Sequence, residues 1–157
     1  MALRTFVDTF ALGTGAATTT VVRTGYGFQP KIALFFTTGI SSAVDAVGGA
    51  APQRRSFGIA KSATERWSVF SWSNVAVGNA DTNSGYRNDS VVASISTAGA
   101  IDGRIDFQTF DSDGLTLVVD DQMPADITCT VLALGGGDVD QVYVGELPEP
   151  ASTGSVN

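Results

Sequence analysis

Histidine does not occur in this chain, and lysine occurs only twice, at Lys31 and Lys61. Without histidine there is no Ser-His-Asp triad and no imidazole ligand for a metal. Cysteine occurs once, so no disulfide can form within the chain. That residue, Cys129, lies in "DITCTVLAL" in step with Ile127, Val131 and Ala133, and reads as a small buried apolar side chain. No imidazole is present to activate it as a nucleophile. Charged residues make up 16% of the chain against the usual quarter or so, which leaves a bland surface of the kind neighbours often cover. No apolar run approaches the eighteen or so residues of a membrane span. The start, "MALRTFVDTFALG", has an early acid and no continuous apolar core, so it does not read as a signal peptide. The expectation is a soluble protein made in the cytoplasm.

What charge there is has one dominant sign. The net charge of −7 argues against nucleic acid, whose phosphates need clustered Lys and Arg. Residues 1–80 carry seven basic and three acidic groups, and residues 81–157 carry two basic and thirteen acidic groups. Such a split can drive head-to-tail association of copies, unless the fold interleaves the halves.

The apolar pattern is strand-like almost throughout. In "AIDGRIDFQTF", Ile101, Ile105 and Phe107 alternate with Asp102, Arg104, Asp106 and Gln108, the period of a half-buried strand. "DSDG" then supplies a hairpin turn before "LTLVVD". "DDQMPAD" reads as the next turn and "ITCTVLAL" as the next strand of a meander. Earlier, "RTFVDTFAL", "TTTVVRT", "KIALFFTT", "RSFGIAKS", "RWSVFSWSN" and "SVVASIST" are rich in β-branched and aromatic residues between turn formers. Alternation breaks in "WSVFSW", which calls for a bulge or for cover on both faces. Gly39 to Arg54 and Val77 to Asp89 read as long loops, with a helical turn or two allowed over Ser41 to Val47. Nine or ten short strands predict an all-β, antiparallel two-sheet sandwich of the jelly-roll kind over residues 1–146. Residues 147–157, "LPEPASTGSVN", read as an extended tail that a partner would hold.

Glycine-rich stretches raise the question of phosphate binding. A dinucleotide fingerprint needs a strand, G-x-G-x-x-G and then a helix. In "GYGFQP" Pro30 replaces the third glycine and a strand follows, so the segment reads as a strand entry, with Pro30 at the first position of a central strand. "GTGAAT" and "GGGDVD" are turns by the same test. "DSDG" looks like half a calcium loop, but the twelfth position from Asp111 is Gln122 instead of a bidentate Glu. Asp120 and Asp121 read as turn carboxylates, and "NDS" at Asn88 has no meaning as a glycosylation site without secretion. No catalytic residue, cofactor site or metal ligand is expected, and the chain reads as a non-enzyme.

The strings "TGYGFQPKIALFFTTG", "RRSFGIA", "STAGAIDGRIDFQTFDSDGLTLVVDD" and "VLALGGGDV" together resemble a β domain of structural proteins of tailed bacteriophages. That domain has GFQPK-type strands, a DSDGFTL-like hairpin and a strand ending in Ala-Leu-Gly-Gly. The likeness runs from about Gly25 to Asp138. It implies a virion component assembled in the cytoplasm of a bacterial host, and brings no catalytic residues. Chain size favours a head decoration (cement) protein bound to the capsid exterior. The alternative is a tail- or fibre-associated receptor- or carbohydrate-binding module, for which Trp67, Trp72, Tyr26 and Tyr86 offer stacking faces. Partners implied are copies of the chain and the major capsid protein, with neither nucleic acid nor membrane. The expected assembly is a homo-oligomer, a trimer being the favoured state. Pro148, Pro150 and Tyr86 are the candidate partner-binding residues.

Overall fold

Period-two alternation needs a second layer to bury its apolar face, and ten antiparallel strands supply two. The computed structural model describes residues 2–13, 15–39, 53–74, 81–96 and 98–145. In chain order the strands are β1 (Leu3–Leu12), β2 (Thr20–Thr24), β3 (Pro30–Thr37), β4 (Gln53–Ala60), β5 (Arg66–Asn74), β6 (Asp81–Arg87), β7 (Val92–Ile95), β8 (Ile101–Asp111), β9 (Gly114–Asp121) and β10 (Ile127–Gly136). They form a six-stranded sheet, ordered β1-β10-β3-β4-β5-β6, and a four-stranded sheet, ordered β2-β9-β8-β7. The molecule is an all-β two-sheet sandwich. The helical turn considered for Ser41 to Val47 and the tail with Pro148 and Pro150 lie outside the described residues.

The main core fills the space between β1, β10 and β3 on one side and β2, β9 and β8 on the other. Phe10, Leu12, Phe35, Val131 and Ala133 meet Ile105, Phe107, Leu115, Leu117 and Val119 there. Cys129 is in this core, in step with Ile127, Val131 and Ala133, and burial pushes its thiol up to about 12. Pro30 opens β3, which lies between β10 and β4, so the proline forgoes its ladder bond at the strand's first position. The register with β10 slips beside it, between Leu134 and Gly135.

The other half of the large sheet packs differently. After Arg54, the inward residues of β4 are Ser56, Gly58 and Ala60, all small and buried. A Cβ on Gly58 would stand 1.8 Å from the Val91 carbonyl oxygen, so the segment entering β7 lies directly on this strand's backbone. Ser56 Oγ accepts the Ala93 amide at 3.2 Å, and Ser68 and Ser90 share a buried hydrogen bond at 3.0 Å. Phe70 and Trp72 on β5 close over Ala93 and Ile95 as a second, smaller core. This explains "WSVFSW". No register slip interrupts β5, and the strand is apolar on both sides, with Phe70 and Trp72 inward and Trp67 and Val69 outward.

Two expectations need correcting. Part of the loop expected over Val77 to Asp89 is strand β6, with Tyr86 inside it. Its sequence, "DTNSGYR", has no apolar alternation, but an edge strand gains its order from backbone bonds to β5 and from a ring contact: a Cβ on Gly85 would meet Phe70 at 2.8 Å. The second correction concerns β9 and β10, which are not neighbours in a meander. The chain crosses between the sheets at residues 122–126, with Met123 buried at the crossing, and β10 inserts between β1 and β3. Alternation marks both strands but does not say which sheet each joins.

"GYGFQP" and "DSDG" meet in space. Gly25 (φ 90) and Gly27 (φ 74) turn in the left-handed region and aim their amides at the two carboxylate oxygens of Asp113, Gly25 N at 3.0 Å from Oδ2. The glycine cradle is real, and its anion is the chain's own carboxylate. Asp111, the other acid of the turn, accepts from Thr116 Oγ1 at 2.7 Å. Replacing Asp113 by Ala leaves both amides without that partner and should cost about 1–2 kcal/mol in urea unfolding, towards the low end for hydrogen bonds to a charged group because both bonds are exposed to water. Asp113→Asn, which keeps one acceptor oxygen, should cost less.

Two basic residues of the first half, Arg54 and Arg66, pair with acids of the second. Arg66 holds Asp106 through two bonds, 2.7 and 2.8 Å, and Arg54 reaches Asp102 at 3.5 Å. Arg87 and Arg104 both bind Asp89, and Arg104 also approaches Asp120 at 3.4 Å. Within the first half, Arg23 grips Asp8 at 2.7 Å, its guanidinium 4.7 Å over the Phe10 ring. Two ion pairs, Arg66–Asp106 and Arg54–Asp102, therefore tie the basic half to the acidic half inside one molecule.

Two measurements follow from this packing. The hydrogen bond from Arg87 holds the Asp89 carboxyl below the usual carboxylate range, with Arg104 acting in the same direction. Its contribution to stability is complete above the unfolded value near 4 and is lost as pH falls through the lower folded value. Burial raises Asp120, whose effect runs the opposite way. Thermal midpoints should drop on acidification below about pH 4, and Asp89→Asn should flatten that drop. Separately, Cys129 should resist a thiol reagent in the native protein and react fully in denaturant, because only an opened core exposes a thiolate.

Candidate interaction surface

The residues that alternate with the core face outward, and on the six-stranded sheet they are largely apolar. Register aligns them into two rows. One runs Val7, Leu132, Leu34, Ile59 and Trp67 from β1 to β5. The other runs Thr9, Thr130, Phe36, Phe57, Val69 and Tyr86 across all six strands. Cross-strand neighbours touch along these rows, with the Phe36 and Phe57 rings edge to face at 5.1 Å and the Thr9 and Thr130 hydroxyls at 3.3 Å.

Solvent reaches this surface. Val7 is 63% exposed, Val69 54%, Tyr86 64%, Phe36 42% and Phe57 39%. Aromatic side chains carry about 150–250 Å² each, so Phe36, Phe57 and Tyr86 alone leave roughly 300 Å² of largely apolar surface open, and the two valines extend it. A contiguous apolar patch of this size matches the largest patch of a typical monomer, about 300–600 Å², which is often a functional contact surface. Among the described side chains, Arg55 is the one charged residue at an outward position of these six strands.

Of the predicted partner-binding residues, Tyr86 sits on this surface, at the end of the second row. Of the aromatics considered for stacking, Trp72 is buried, and Tyr26 is buried with its ring stacked 4.5 Å from Phe6. The Tyr26 hydroxyl donates to Asp8 Oδ2 at 3.3 Å, and burial raises its phenol well above the usual range. Trp67 belongs to the first row and is half-buried. The sequence reading missed Phe36, Phe57 and Val69 as surface residues. Their alternation was visible, but alternation alone does not say which face is the core.

A shallow cleft of about 640 Å³ opens between the starts of β1 and β3, with Arg4 and Lys31 in its wall. Both cations are already engaged there: Arg4 Nη1 donates to the Gly27 carbonyl at 2.6 Å and Lys31 Nζ to that of Val139. Among the described residues, no three Cys, Asp or Glu side chains stand close enough together to hold a metal ion. The arrangement suits contact with another protein surface more than chemistry on a small molecule. Comparisons with protein-family models, curated proteins and solved structures found no match for this chain.

Proposed function

We propose that this chain is a non-enzymatic structural protein of a tailed-bacteriophage particle, a head decoration protein seated on the capsid exterior. The observation that carries the proposal is the outward face of the six-stranded sheet, an apolar and hydroxyl surface open to solvent. Such a face is costly for a protein that works alone and useful for one that works covered. The resemblance of "TGYGFQPKIALFFTTG" and "DSDGLTLVVDD" to virion β domains gives the setting. In this reading the partners are the major capsid protein and other copies of the chain, and the protein resides in the virion.

The exposed Tyr86 ring favours a second reading, a tail- or fibre-associated module that binds a receptor or a carbohydrate. Cryo-electron microscopy of purified particles separates the two. Regular density of about 16.2 kDa per copy on the capsid is the expected result. Density confined to the tail transfers the function to the second reading, and particles without the protein overturn both.

A further inference from the structure

We propose that the outward face of the six-stranded sheet docks a second copy of this chain, sheet against sheet about a two-fold axis. This deepens the particle reading by naming one partner, and rests on it only for where the pair works.

The face itself selects the occupant. Its two rows present Val7, Phe36, Phe57, Val69 and Tyr86 with no charge among them, while the whole chain carries −7. Arg55, beside Phe57 on β4, is the one described charge on this face, so a strongly charged partner finds little to pair with along the rows. A second copy finds the same apolar rows and the same hydroxyls, Thr9, Thr130 and Ser84 among them, which can hydrogen-bond across the seam. Two sheets of the same handed twist stack about 10 Å apart with their strands crossing near 30°, so the face is complementary to its own copy. A two-fold operation makes that contact isologous and closed at two copies.

The area is adequate. Six strands spaced about 4.8 Å apart span roughly 24 Å, and some six residues of each strand add about 20 Å, which gives roughly 500 Å² in plan. Side-chain relief brings this towards the ~800 Å² per partner of a standard interface. The last twelve residues of the chain, with Leu147 and Val156 as their only large aliphatic side chains, are a poor match for such a surface. Two of the basic groups behind the expected head-to-tail association are already paired with second-half acids inside the molecule, through Arg66–Asp106 and Arg54–Asp102. A dimer through the sheet face is the assembly proposed here, and the expected trimer is the competing outcome of the test.

Sedimentation velocity of the purified full chain, from about 1 to about 100 µM, tests the proposal apart from any particle. A reversible dimer is expected. It should hold or tighten as salt rises from about 0.1 to about 1 M, because the apolar seam is indifferent to screening while the net repulsion between copies fades. Val69→Lys and Tyr86→Lys, at positions more than half exposed, should each raise the dissociation constant at least about tenfold, the equivalent of 1.4 kcal/mol or more. Their circular dichroism and melting temperature should stay those of the parent. Hydroxyl-radical footprinting should show Phe36, Phe57 and Tyr86 losing reactivity only as the dimer forms.

Several results overturn the proposal. They are a monomer at every concentration, an association that salt weakens, and an oligomer that neither lysine variant disturbs. Footprint protection already complete in the monomer would assign the cover to the chain's own residues, such as 40–52. If one variant fails to fold, the other and the footprint still decide. Particle attachment is measured separately, so a dimer that does not bind particles overturns the virion reading and leaves this one standing.

Discussion

The tightest constraint in this molecule is the approach of two backbones where the segment entering β7 lies on β4. Gly58 has no room for a Cβ against the Val91 carbonyl, and its inward neighbours Ser56 and Ala60 are nearly as small. Because β7 sits so close, Ser56 and Ser68 can satisfy its polar groups directly, and Phe70 and Trp72 can cap it as a second core. Elsewhere the sheets stand apart and large side chains fill the gap, as Phe35 and Phe107 do. The six-stranded sheet thus has to serve two inter-sheet distances, and the choice of small or large inward residues along it sets both.

That geometry also disposes of the charges. Residues of β8 that alternate with the core, Arg104 and Asp106, point away from it toward β5 and the segment after β6, where Arg66, Arg87 and Asp89 meet them. With most ionised side chains drawn to this flank, the far side of the large sheet is left to apolar and hydroxyl residues and Arg55. The polar flank and the nearly uncharged face, with Arg55 as its one described charge, both follow from period-two alternation.

Much of this was legible in the sequence, because period two, turn formers and Pro30 are local signals. Nine of the ten strands, the DSDG hairpin and the buried Cys129 follow from them. The exceptions have physical reasons. Strand β6 was missed because "DTNSGYR" takes its order from the neighbouring strand and not from its own pattern. The crossing from β9 to β10 was read as a hairpin because the choice of sheet is made by residues far away in sequence. The ligand of the glycine cradle, Asp113, lies 86 residues from Gly27, beyond the reach of any motif. Tyr86 was singled out for being in a loop. It is exposed because it ends an outward row, and the rest of that row could be recognised only once register was known.

The pairing of β1 has a consequence for how the chain comes to be folded. Leu3 stands opposite Gly136 and Leu12 opposite Ile127, and β1 is an edge strand with β10 as its sole neighbour in the sheet. A ribosome therefore releases one of the first strands long before its partner exists. Until the last large strand is made, Phe6, Phe10 and Leu12 have no β10 to lie beside, and closing this longest loop carries the largest entropy cost in the fold. Among the ten strands β10 is the last in sequence, and its place between β1 and β3 completes the sheet and its outward rows together.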